Sequence, residues 1–295
     1  MVPIFSNWCM QIDITNYCHL SCLYCSRYNR HLRRDQRKHM TLDQFRTALD
    51  SLVDWPNKIG IIGGEPLLHP EFELFCHELK TRFPKEKVGL WTSGTNKLER
   101  LTPLIVETFG FVAYNQHTPE QLEVCKHQPL TVAIDEVIDD EQLRRRLIDD
   151  CWVQRDWCAT INHFGAYFCE VAAAQDVLLN DGAHAWQVEP GWWNKTPEQF
   201  QDQICQFCNN CGMAIPMERE LIKKKTEKFS PKMLKTFREK GLLKVADDEI
   251  ELYDHVFTKE EIRQNIQRWF PGNYRGDKTA DEECSEGVGF KNSLD

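Results

Sequence analysis

MQIDITNYCHLSCLYC, residues 10–25, sets a short apolar stretch directly before three cysteines spaced C-x3-C-x2-C. Residues 10–14 read as a strand, and Cys18, Cys22 and Cys25 as the loop it feeds. Three thiolates at this spacing can ligate three irons of a cubane and leave the fourth iron open to an outside ligand. Such an arrangement suits chemistry, whereas four protein thiolates suit electron storage.

Working outward, residues 58–63 (KIGIIG) read as a buried strand that ends in Gly63-Gly64-Glu65-Pro66. Residues 87–92 (KVGLWT) form another, broken by Ser93-Gly94, and residues 111–115 and 130–134 two more. Thr41 to Gln44 fits a capping box before a helix, and helices are expected near 72–82 and 98–108. Strands alternating with helices point to a parallel α/β domain, with ligands at the carboxyl ends of the strands. After about residue 140 the pattern changes. A charged helix at 140–150 precedes further cysteines, and helix starts are expected at Thr196-Pro197, Ser230-Pro231 and Thr258. The tail from Asn273 is polar and Gly-rich and reads as mobile.

The 295 residues are 41% hydrophobic and 27% charged, with a net charge of −9. That balance makes nucleic acid an unexpected partner. No apolar run is long enough for a membrane span. Residues 1–9 lack the pattern of a signal peptide, so a cytoplasmic location is expected. Of thirteen cysteines, nine fall into three groups: Cys18/Cys22/Cys25, Cys151/Cys158/Cys169 and Cys205/Cys208/Cys211. In a reducing compartment such grouping indicates metal binding rather than disulfides.

The C-x3-C-x-aromatic-C motif with Tyr24, placed after a first strand, resembles the signature of the radical SAM superfamily. The resemblance covers about residues 8–140. It implies a 4Fe–4S cluster on Cys18, Cys22 and Cys25 whose open iron binds S-adenosylmethionine (SAM). Tyr24 would lie against the adenine. Gly63, Gly64, Glu65 and Pro66 would accept hydrogen bonds from the SAM ammonium, and Ser93 would belong to another SAM-contacting turn. The implied fold is an α/β partial (β/α)6 barrel with a small cluster-binding module. The expected division is a barrel core at 1–145, a cluster module at 146–215 and a helical extension with mobile tail at 216–295.

Cys151, Gly165, Cys169 and then Cys208-x2-Cys211 resemble the twitch/SPASM auxiliary module, which implies a second 4Fe–4S cluster. Gly165 suits the turn of a small hairpin. Cys205 could replace Cys208 or Cys211, and a structural zinc is the alternative occupant. Cys158 and Cys205 are then spare thiols and candidate hydrogen-atom donors.

The run 27–39 holds Arg33, Arg34 and Arg37, which could meet an anionic substrate or simply form a solvated face. Lys223–Lys225 is more remote. His117, Asp135 and Glu136 are candidate proton carriers, and Trp192 and Trp193 candidate pocket walls. The expected activity is oxidation or epimerisation of a small carbohydrate- or nucleotide-type molecule, with a flavodoxin- or ferredoxin-type reductant. A peptide-modifying enzyme and a non-catalytic iron–sulfur carrier or scaffold are the alternatives.

Overall fold

The computed structural model describes residues 1–115 and 125–265. His117, Cys284 and the tail from Asn273 lie outside them. The chain begins with β1 (Cys9–Asp13), α1 (Leu42–Ser51), β2 (Lys58–Ile62), α2 (Phe72–Arg82), β3 (Val88–Thr92), α3 (Leu98–Thr108) and β4 (Phe111–Tyr114). α1 starts where Thr41 Oγ1 accepts the Gln44 N–H and Gln44 accepts the Thr41 N–H. That reciprocal cap is worth about 1 kcal/mol.

Next come β5 (Lys126–His127), α4 (Ile134–Val137), α5 (Glu141–Asp149), β6 (Cys158–Ile161), β7 (Ala166–Tyr167), α6 (Glu170–Asn180) and α7 (Gln201–Phe207). Residues 130–134 are not a strand. Leu130, Val132, Ala133 and Ile134 are fully buried, and a short buried apolar run carries no periodicity to separate strand from turn. Their backbone bonds go to the C-terminal extension: Ser230 N donates to Thr131 O and Ala133 N to Ser230 Oγ. The extension comprises β8 (Glu220–Leu221), β9 (Glu227–Phe229), α8 (Pro231–Glu239), β10 (Ile250–Leu252) and α9 (Lys259–Asn265). β8 pairs with β5, and β9 with β10.

The main sheet has six strands in the order β4-β3-β2-β1-β6-β7. β1 to β4 and β6 are parallel, and β7 folds back antiparallel on β6. Gly165 sits in that hairpin turn, where a Cβ would lie 2.2 Å from Trp186 O. This is the α/β fold expected from the motif order. Its fifth parallel strand, however, comes from residues 158–161 and lies beside β1. The sheet therefore runs across the 145/146 division drawn from the sequence.

Alternation along the strands gives the sheet two unlike faces. Met10, Ile12, Ile59, Ile61, Leu90 and Ile161 share the apolar outer one. On the inner face the register aligns Thr160, Gln11, Gly60 and Gly89 in one row. Trp91 lies over the two glycines: a Cβ on Gly60 would come within 2.3 Å of its ring. Trp8 stacks on Trp157 at 5.1 Å and meets Trp91 and Phe111 edge-on. Trp8 and Trp157 precede β1 and β6, so this aromatic group closes the amino ends of the strands and leaves polar side chains toward the carboxyl ends.

Candidate active site

The first cysteine loop leaves the carboxyl end of β1. Cys18, Cys22 and Cys25 are partly buried and close enough to repel one another as thiolates. Burial raises Cys18 to about 11. Burial, then Cys25, Cys18 and Cys125, pushes Cys22 far above the ordinary thiol range. The loop is held in an unusual backbone conformation. Tyr24 and Tyr28, on either side of Cys25, both have positive φ, at 53° and 49°. For bulky residues this is a strained region that surrounding contacts must enforce. Tyr28 N donates to Cys25 O and Tyr28 Oη to Leu130 O. Tyr24 Oη accepts the Lys228 N–H at 2.6 Å, so the C-terminal extension covers this side of the loop. Arg37 donates to Asn16 O and Asn29 O and ties the two ends of the loop together.

The segment after β2 closes on the same loop. Gly64 N donates to Thr15 O and Glu65 N to Tyr17 O, at 2.6 and 2.7 Å. A Cβ on Gly63 or Gly64 would lie 2.2 Å from Thr15 O or Tyr17 O. The glycines are thus required by the protein's own backbone, a reason separate from any ligand. Glu65 is fully buried. Its carboxylate accepts from Leu67 N, Thr92 Oγ1, Ser93 N and Ser93 Oγ. Four donors occupy the side chain, so it works as the clasp between the ends of β2 and β3. Glu65 and Ser93, expected separately on a cofactor, are bound to each other.

Cys151, Cys169, Cys208 and Cys211 all line one cavity, with about 410 Å³ of empty space partly open to solvent. Ile148, Phe168, Val171 and Phe207 share its wall, as does Met1, whose amino terminus acts on Cys151. Burial raises Cys151 to about 11 and Cys211 to about 12, and drives Cys169 and Cys208 well above the ordinary thiol value. Cys205 is exposed on α7 and does not line the cavity. Cys158 is fully buried on the inner face, in register with Cys9.

The other expected residues are spread out. Arg33 pairs with Asp35 and Asp181, and Arg37 is committed to the loop backbone. Arg34 is exposed. Lys232 at the start of α8 binds Asp135 and Glu136. Trp193 donates to Ser51 O and packs edge-on against Trp55, while Trp192 is buried. Two features were not legible in the sequence. Cys125 comes near Cys22 because β5 pairs with β8, and its Sγ lies 3.9 Å from His127 Nε2. Arg27 is buried at the carboxyl end of β1, 3.0 Å from Asp13 and 2.8 Å from Glu170.

The sequence model of the Radical SAM superfamily matches residues 12–132. Residues 12–132 are a radical SAM superfamily domain. A search of curated proteins gives no match. Among solved structures, BtrN in complex with AdoMet and 2-DOIA aligns with a TM-score of 0.43 at 18% identity, over 69% of this chain and 92% of that one. Selenomethionine BtrN in an open conformation aligns with a TM-score of 0.44 at 17% identity, over 73% and 90%.

The radical SAM domain carries the first cysteine loop and the Gly63–Pro66 clasp. Membership implies a 4Fe–4S cluster and SAM, and the three neighbouring thiols fit that donor set. Among the described residues, no three His, Cys, Asp or Glu side chains are grouped as for a single metal ion. In a cubane each thiolate belongs to a different iron. No described helix is long and apolar enough to cross a membrane.

Proposed function

We propose that the chain is a radical SAM oxidoreductase acting on a small polar molecule, with a second iron–sulfur cluster in the Cys151/Cys169/Cys208/Cys211 cavity. The observation that carries this reading is the pair of separate thiol sites, three cysteines in the family loop and four around one apolar cavity. When bound, the first cluster and SAM supply a 5′-deoxyadenosyl radical able to take hydrogen from an unactivated carbon, and the second cluster supplies a one-electron acceptor.

The residues of the chain do the rest. Cys18, Cys22 and Cys25 would hold the first cluster and leave one iron open. With the Glu65 carboxylate filled by four donors, the backbone carbonyls of Gly63 and Gly64 are left as the segment's acceptors for an ammonium. The Trp8–Trp91–Trp157 group seals the amino ends of the strands, and the extension seals Tyr24. Both exclude water from the inner face, which protects a reactive carbon centre. Tyr28 joins the two thiol sites, since Gln175, which lines the cavity, donates to Tyr28 Oη.

Oxidation is favoured because the cavity is complete with four thiols. Epimerisation is kept by Cys158, the spare thiol that faces inward. The discriminating experiment is anaerobic reconstitution followed by incubation with SAM and dithionite. Formation of 5′-deoxyadenosine supports an enzyme. Bound iron without it identifies a carrier or scaffold, and zinc in place of iron in the second site removes the acceptor. Heavy-water product analysis of Cys158→Ala then separates the two reactions.

A further inference from the structure

The inner face of the sheet holds a buried ionic group with more acid than base. Arg27 Nε binds Asp13, Nη1 binds Glu170 and Ser26, and Nη2 binds the Gln11 carbonyl oxygen. One guanidinium thus faces two carboxylates, all at most 9% exposed. The remaining exposure is on the acids: 12% of the Asp13 side chain and 8% of Glu170, against 5% of Arg27. What this group presents outward is negative. Burial raises Asp13 to about 6, with Arg27 opposing and Glu170 reinforcing, so the group as it stands favours taking up positive charge.

Two neighbours are left incomplete. Gln11 is 1% exposed, and with its oxygen fixed on Arg27 its amide nitrogen has no partner among the described residues. Thr160 is fully buried, and its hydroxyl has none either. They are direct cross-strand partners on the same face. Buried polar atoms are rarely left unpaired in native proteins, and adjacent orphans mark a place for an outside group. The group lies at the carboxyl end of β1, beside the first cysteine loop. Asp13 ends β1 five residues before Cys18, and Arg27 follows Cys25 by two.

We propose that this face is the substrate-recognition site, in which Asp13 and Glu170 hold a cationic amine and Gln11 and Thr160 hydrogen-bond a neighbouring oxygen of the same molecule. The substrate class is therefore an amino-substituted polyol or sugar, not a phosphorylated one. Arg27 is a positioning residue that keeps the two acids and the Gln11 amide in place. This inference rests on the oxidoreductase reading and names the substrate class of that site.

The test is calorimetric titration of the reconstituted, SAM-loaded protein at pH 7.5 with glucosamine, glucose and glucose 6-phosphate. Glucosamine is expected to bind at least tenfold more tightly than glucose 6-phosphate, with glucose between. Glu170→Gln is expected to reduce the advantage of glucosamine over glucose at least fivefold, and Thr160→Val to weaken both sugars equally. Iron content and thermal unfolding check each variant, and Asp13→Asn serves if Glu170→Gln does not fold. Tightest binding of the phosphate overturns the proposal. So does an unchanged preference in the acid variant, or binding of none of the three, which leaves the orphan atoms to ordered water. If SAM cleavage persists while selectivity is absent, only this inference fails. If cleavage is absent as well, the oxidoreductase reading fails with it.

Discussion

Glu65 accepts both the backbone N–H and the hydroxyl of Ser93, at 2.7 and 2.6 Å. One buried carboxylate thereby fixes the end of β3 against the end of β2, beside the first cysteine loop. Glu65→Gln places an amide N–H₂ against donors that already fill the site. The variant is expected to lose on the order of 2–3 kcal/mol of stability and to bind SAM at least tenfold more weakly. Thermal unfolding and SAM titration measure the two effects. A variant with unchanged SAM affinity and lowered stability would confine Glu65 to a structural role.

The four cavity thiols should act as a unit and the two spare ones should not. Cys151→Ala, Cys169→Ala, Cys208→Ala and Cys211→Ala are each expected to lose or degrade the second cluster, whereas Cys205→Ala keeps its full iron. Iron and sulfide counts on the reconstituted proteins check this. Loss of iron from Cys205→Ala would move a ligand out of the cavity.

Arg34 and Arg37 should behave differently despite their shared charge. Arg37→Ala removes both bonds that tie Asn16 O to Asn29 O, and should cost about 1–3 kcal/mol with poor retention of the first cluster. Arg34→Glu alters an exposed side chain and should leave stability within about 0.5 kcal/mol. A steep rise in KM from Arg34→Glu alone would support the anionic-substrate reading of the basic run.

Buried His69 and Asp13 should tilt the pH dependence of stability in opposite directions. His69 accepts from Glu71 N at Nδ1 and donates from Nε2 to Met40 O, and burial lowers it to about 4. Its contribution is present above the ordinary histidine value and is lost as pH falls toward 4. His163, also lowered to about 4 by burial, acts in the same window. Asp13 is raised to about 6, so its contribution is present below the ordinary aspartate range and is lost as pH rises through 6. Urea unfolding between pH 4 and 7.5 should show a shallower acid limb in His69→Gln. Asp13→Asn should gain stability relative to wild type as pH rises through 6. Parallel curves for all three proteins would remove these groups as the cause.

Much of the frame was legible because its signals are local. The Thr41–Gln44 cap, the Leu98–Thr108 helix and the loop cysteines depend on neighbours in sequence. Cys151, Cys169, Cys208 and Cys211 line one cavity, and the second cluster they would hold is proposed from their spacing together with that cavity. What could not be read depends on pairing between distant segments. Residues 130–134 have the composition of a strand, but their backbone partners lie at Thr131–Ser230 and Ala133–Ser230. The strand that does flank β1 is only four residues long and begins at Cys158, a residue weighed as a spare thiol. Arg27 looked like one more member of a basic run. Its burial follows from Glu170, 143 residues later, reaching it from the start of α6.

The central claim is that two cysteine sets hold two separate clusters and only the first cleaves SAM. The most direct measurement is iron content, Mössbauer spectrum and 5′-deoxyadenosine yield of the Cys18→Ala/Cys22→Ala/Cys25→Ala triple variant beside wild type, both reconstituted anaerobically. The account predicts roughly half the wild-type iron, one remaining 4Fe–4S signal and no 5′-deoxyadenosine. A triple variant without iron, or one that still makes 5′-deoxyadenosine, would contradict it.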